Sequence, residues 1–226
     1  MTEYSIKNVK DHILIELDGG LALVDTGSLL SFHEDGGMNF CENEIYLCTT
    51  LGPVDSHYLS EKLGVTVKGL LGMDLISPYA MTIDVKGGVL AFDNGCDTEG
   101  WTPVQSSRVF GYMTAPLEVA GKPAKVILDT GAPTSYISSA FNPDAEPLEY
   151  VKDFYPTLGD FETPVYEQPC SFAGGEFNIR FGNLPAGLNL ALSVIGAQGV
   201  VGMELLKRFK FMIADRRVFV KAYDAV

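Results

Sequence analysis

Val126-Ile127-Leu128-Asp129-Thr130-Gly131-Ala132 restates, 104 positions on, the pattern of Ala22-Leu23-Val24-Asp25-Thr26-Gly27-Ser28. Each is an apolar run, then Asp-Thr-Gly, then a small residue. A second echo follows in the same order: Gly69-Leu70-Leu71-Gly72-Met73-Asp74-Leu75-Ile76 against Gly199-Val200-Val201-Gly202-Met203-Glu204-Leu205-Leu206. Two echoes in one order mean a duplicated unit, and duplication decides the fold before any single element does. An Asp after a buried strand, followed by Thr and Gly, sits on a tight turn whose glycine lets another backbone or side chain approach closely. One such turn is ordinary loop chemistry. Two of them, each behind an apolar strand, point to a pair of carboxylates brought together.

Outward from these turns, strand patterns lie at Ile13–Leu17, Leu21–Val24, Glu44–Cys48, Met81–Val85, Val89–Phe92, Pro116–Val119, Ala124–Leu128, Glu176–Phe181 and Val218–Ala222. Helices are expected at Ser56–Leu63, with Asp55 at its entry and Gly64 at its exit, and at Met203–Phe209. The class read from this is all-β. Asn94 to Ser107 is rich in turn formers and poor in apolar residues, so the expected division is a first lobe 1–93, a linker 94–110 and a second lobe 111–226.

The chain has 226 residues, 46% of them hydrophobic and 20% charged, enough to bury a core without metals or disulfides. Its formal net charge of −13 argues against nucleic acid and anionic membranes as partners. Met1 to Asp11 carries Glu3, Lys7, Lys10 and Asp11 and no apolar run, so a cytoplasmic protein without a secretory leader or membrane span is expected. Cys41, Cys48, Cys96 and Cys170 form no CxxC pair, and His12, His33 and His57 form no ligand-spaced set; reduced thiols, surface or loop histidines and no bound metal are expected.

On both Asp-Thr-Gly turns and both Gly-apolar-apolar-Gly segments, the sequence resembles the aspartic peptidases, the retropepsin-like branch as well as the bilobal pepsin-like one. The resemblance runs roughly over Ile13–Phe92 and Pro116–Ala222, and the chain looks like two fused retropepsin-like lobes. It implies a bilobal acid-protease fold, a monomer that holds both halves of its site, and a catalytic dyad of Asp25 and Asp129. Such a pair shares one proton, of which aspartic peptidases are the standard illustration. It further implies a water nucleophile, no cofactor and an extended peptide or protein as substrate. Thr26 and Thr130 are expected to bond the opposite active-site loop, with Gly27, Ser28, Gly131 and Ala132 completing the loops. Ser28 is expected either to bond Asp25 through its hydroxyl, which Ala132 cannot imitate, or to satisfy the local backbone. Gly72 and Gly202 are expected to permit close packing behind each loop. The alternative is a peptide-binding module with the same fold and no catalysis.

The halves are unequal. Asp25 and Gly72 are 47 residues apart, Asp129 and Gly202 73, and the 26 extra residues make room for another hairpin. The family covers its substrate with such a hairpin. The flap is therefore expected in the second lobe, within Val151–Gln168, turning near Gly159, with Phe154, Tyr155, Leu158, Gly159 and Phe161 toward the substrate.

Overall fold

A computed structural model describes residues 1–142, 146–155 and 159–223. Strands dominate, and the helices of the described residues are short: α1 (Ser56–Leu63), α2 (Met73–Ile76), α3 (Ala186–Ile195) and α4 (Met203–Leu206). The fold is all-β.

Each half opens with the same hairpin. Lys7–Val9 pairs with His12–Leu17 through Lys10 and Asp11, at φ of 50° and 58°; Ser107–Val109 pairs with Tyr112–Val119 through Phe110 and Gly111, at 50° and 98°. Two successive left-handed residues give the two-residue turn whose twist suits antiparallel strands. The chain then doubles back as Gly20–Val24 or Lys122–Leu128, whose last three residues are buried, and runs into Asp-Thr-Gly.

Behind each turn lies a short buried strand made from the first three residues of the second repeat. Val67–Leu71 runs parallel to Gly20–Val24, setting Leu71 beside Val24, and Gly199–Val201 runs parallel to Lys122–Leu128, setting Val201 beside Leu128. A one-turn helix, α2 or α4, follows. The intervening glycine is compulsory: a Cβ on Gly72 would stand 2.5 Å from the Leu30 carbonyl oxygen, and one on Gly202 would overlap the Asp129 carbonyl.

The halves meet in one six-stranded antiparallel sheet, ordered Thr2–Ser5, Val89–Asp93, Ala80–Asp84, Phe209–Ala214, Arg217–Ala222, Thr102–Val104. The join sets Phe211 opposite Ile83 and Ile213 opposite Met81. Beneath it a single apolar cluster runs from Ile13, Val24 and Phe92 of the first half to Met113, Val126 and Phe211 of the second.

Several expectations change. The linker 94–110 contains two strands, Thr102–Val104 and Ser107–Val109, because a short stretch can be held by an edge partner that its composition does not reveal. The expected Met203–Phe209 helix stops at Leu206, and Phe209 starts the strand at the inter-half join. His12 and His33 are 8% and 2% exposed, so neither is a surface residue; His33 fits inward because its strand partner is Gly69. All four cysteines are free thiols. No described helix is long and apolar enough to cross a membrane.

Candidate active site

The two Asp-Thr-Gly turns face each other at the seam between the halves and are held there reciprocally. Thr26 Oγ1 donates to the Leu128 carbonyl at 2.9 Å and accepts from the Thr130 N–H at 3.0 Å. Thr130 Oγ1 donates to the Val24 carbonyl at 2.7 Å and accepts from the Thr26 N–H at 3.0 Å. Both threonines are buried, so each hydroxyl satisfies two backbone groups that have no access to water. Each aspartate is fixed to the strand behind it as well: the Asp25 N–H donates to the Leu71 carbonyl at 2.9 Å and the Asp129 N–H to Val201 at 3.0 Å.

The carboxyls then come within hydrogen-bonding reach of each other. Gly27 and Gly131 lie against the opposite carboxyl: a Cβ on Gly131 would stand 2.6 Å from the Asp25 carboxyl carbon, and one on Gly27 would overlap Asp129. Asp25 Oδ1 accepts the Gly27 and Ser28 N–H groups at 2.8 and 3.1 Å, and Asp129 Oδ1 accepts the Gly131 N–H at 2.8 Å. Protein surrounds both carboxyls except where an edge opens on the cleft. Burial pushes Asp25 well above the usual carboxylate range, and the Asp129 charge pushes it further. Burial also raises Asp129, but the hydrogen bond from Asp25 and the N–H groups of Gly131 and Gly27 pull it back. Two carboxyls this close and this buried cannot both ionise cheaply, so the pair titrates as a unit above the usual carboxylate range.

Ser28 takes the local role of the two expected for it. Its hydroxyl donates to the Leu30 carbonyl at 2.8 Å, and only its backbone N–H reaches Asp25. A turn hydroxyl finds its own backbone sooner than a neighbouring carboxylate already supplied with donors. Ala132 matches the backbone role, its N–H donating to the Asp129 carbonyl at 3.2 Å as Ser28 N–H does to Asp25 O at the same distance. The Ser28 hydroxyl therefore does not distinguish the two aspartates; the N–H donors of their own turns do differ, two on Asp25 against one on Asp129.

The dyad floors a cleft of about 370 Å³. Leu59 and Leu63 of α1 line it from the first half, and Leu188, Leu192 and Ile195 of α3 from the second. The longer second interval contains a hairpin, Glu149–Tyr155 with Gly159–Phe172, which brings Asp153 and Phe161 to the cleft wall. Leu158 lies outside the described residues, as do the side chains of Phe154 and Tyr155. Tyr136 braces the hairpin: its hydroxyl donates to Asp153 Oδ2 and its ring lies 5.9 Å from that of Phe161. Near the hairpin's turn, Asp160 Oδ1 accepts from Lys62 Nζ of α1 at 2.8 Å, so the hairpin spans from one half to the other. The first-half hairpin Gly37–Phe40 with Asn43–Tyr46 contributes nothing to the cleft lining; Met38 and Phe40 are buried in the shared core.

Four residues at this site escape a reading of the Asp-Thr-Gly motif alone: His12, Tyr112, Tyr136 and Asp153. The first two carry a signal in the repeat. Val9 faces His12 across one hairpin as Val109 faces Tyr112 across the other, so extending the internal alignment upstream of the aspartates finds them.

No protein-family model matches the sequence, and no curated protein matches it. Among solved structures, the chain is similar to the solution structure of simian foamy virus (mac) protease, at 16% identity and a TM-score of 0.31, over 40% of this chain and 88% of that one. It is also similar to the crystal structure of a retropepsin-like aspartic protease from Rickettsia conorii, at 20% identity and a TM-score of 0.42, over 54% of this chain and 89% of that one.

Proposed function

We propose that this chain is an aspartic endopeptidase, a monomer of two lobes whose dyad is Asp25 and Asp129. The observation that carries the reading is the seating of two carboxyls face to face by reciprocal threonine bonds. A protein without catalysis has no use for two facing, desolvated carboxylates, whose mutual repulsion costs stability. Asp129, ionised, takes a proton from a water held between the pair. Asp25, protonated, polarises the scissile carbonyl, and the tetrahedral intermediate collapses as a proton passes to the leaving nitrogen. The cleft holds an extended peptide between α1 and α3, under the 149–172 hairpin as a single flap. Free thiols at all four cysteines favour a reducing compartment, the cytoplasm.

The test is a peptide library incubated with and without pepstatin, its products read by mass spectrometry. The wild type should cut and pepstatin should stop it. Asp25→Asn and Asp129→Asn should each lower the rate by roughly 10²–10⁴-fold or more, the range general acid–base groups supply, with the fold intact by circular dichroism. Retention of most activity in either variant would remove the dyad from the mechanism.

A further inference from the structure

The polar side chains of the cleft can be accounted for atom by atom. The Asp25 and Asp129 carboxyls engage each other and their turn N–H groups. The Ser28 hydroxyl donates to Leu30, and the Tyr136 hydroxyl donates to Asp153. Two cleft-lining residues keep a polar atom with no hydrogen-bond partner among the described residues and without being sealed from solvent: His12 at Nε2 and Tyr112 at its hydroxyl. They are the same position in the two halves, at the turn of the opening hairpin, and so flank the dyad on opposite sides. The internal repeat thus places an imidazole on one side and a phenol on the other.

Their hydrogen-bonding atoms differ. His12 Nδ1 is 2.9 Å from the Lys10 carbonyl, which only accepts, so Nδ1 carries a proton and Nε2 is the ring atom left to the cleft. The ring itself is 8% exposed and cannot swing away to solvent. Tyr112 presents a phenol O–H, and burial beside both aspartates keeps it protonated. We propose that His12 is a specificity-determining residue that selects, at one subsite beside the dyad, an uncharged substrate side chain able to hydrogen-bond to Nε2: Asn, Gln, Ser or Thr, each of which can donate or accept. The cleft that His12 lines is largely apolar, with Leu59 and Leu63 of α1 in its wall, so the bound group must be cheap to desolvate. An ammonium or guanidinium costs more to bury than an amide or hydroxyl does, whereas an aliphatic side chain would leave Nε2 dry and unpaired.

This inference rests on the peptidase reading, and its test separates the two. Randomised peptides are profiled subsite by subsite with the wild type, His12→Leu and Tyr112→Phe. The wild type should favour Asn, Gln, Ser and Thr over Leu and Val about fivefold at one subsite, the worth of one net hydrogen bond. His12→Leu should reverse that order there while keeping the preferences at every other subsite, and Tyr112→Phe should alter a subsite across the scissile bond. The same library is then captured, without cleavage, on Asp25→Asn and on the Asp25→Asn, His12→Leu double variant. If the wild type cuts nothing while Asp25→Asn retains peptides bearing Asn, Gln, Ser or Thr and the double variant does not, the subsite stands and the peptidase reading falls. Equal profiles for wild type and His12→Leu, in cleavage or in capture, overturn the subsite.

Discussion

At the scale of single residues, the site depends on two hydroxyls. Thr26→Val keeps the shape of the side chain but strips the Leu128 carbonyl and the Thr130 N–H of their partners in a place water does not reach. Leaving a buried group unsatisfied costs about 1–3 kcal/mol, so the variant should lose on the order of 2–4 kcal/mol in a denaturant titration and most of its activity. Thr26→Ser, which retains the hydroxyl, should lose less than half as much. A Val variant as stable as wild type would mean that the reciprocal bonds do not hold the loops. The dyad itself works in the opposite direction. Both carboxyls titrate above the ordinary range in the folded chain, so folding takes up protons. Their contribution to stability is fullest below the unfolded carboxyl pKa of about 3.9 and is lost as pH rises through the pair's raised value. Asp25→Asn removes that loss. Its unfolding free energy should therefore gain on the wild type's as pH goes from 4 to 8, by about 1.4 kcal/mol for each pKa unit of elevation removed. A gap that narrows with pH would place the strain elsewhere.

At the scale of elements, the cleft is walled by two helices that the sequence announces unequally. Helix α1 is legible because Asp55 caps it, its carboxylate accepting from the Tyr58 N–H at 2.7 Å, and Gly64 ends it at φ 74°. Asp55→Ala should cost about 1 kcal/mol, as loss of an N-cap does, and weaken peptide binding by loosening Leu59 and Leu63. Helix α3 has Pro185 before it, Gly196 after it and Leu188, Leu192 and Ile195 on one face. Yet Gly187, Asn189 and Ser193 interrupt the pattern, and no charged residue marks a solvent side. The Gly159–Phe172 strand was hidden by Pro164 and Pro169. Proline discourages a strand reading, and here both are accommodated, opposite Tyr150 and Asn178. What remained legible was the surplus of 26 residues, which located the hairpin although no local pattern defined its strands. Its tie to α1 through Lys62 and Asp160 is exposed, and such pairs contribute little to global stability. Lys62→Ala should leave the melting temperature unchanged while hydrogen exchange across residues 149–172 quickens. Unaltered exchange there would show that the contact does not restrain the hairpin.

At the scale of the molecule, the repeat shows two units but not how they are joined. Both aspartates could be placed from the sequence because their motif is local and occurs twice. The shared sheet could not, because pairing Ala80–Asp84 with Phe209–Ala214 depends on strands more than a hundred residues apart with ordinary apolar alternation. That pairing, the common core and the Lys207–Asp11 ion pair across the halves at 2.9 Å bind the lobes into one cooperative body. Cutting the exposed passage 94–100 with a site-specific protease should therefore leave two fragments that co-elute and keep activity. Fragments that separate without denaturant would show lobes that stand alone.

The same sheet sets a clock on the protein's own synthesis. Strand Phe209–Ala214 leaves the ribosome after both aspartates have been made, and until it arrives the first half's Ala80–Asp84 has no neighbour on its inner edge. A nascent chain that has reached Gly202 already holds both carboxylates and all four threonine bonds' worth of groups, but not the platform that presses one lobe against the other. On the peptidase reading, an assembled site would wait for that strand, and a ribosome stalled before Phe209 would release a product with the complete motif and no clamp between its halves.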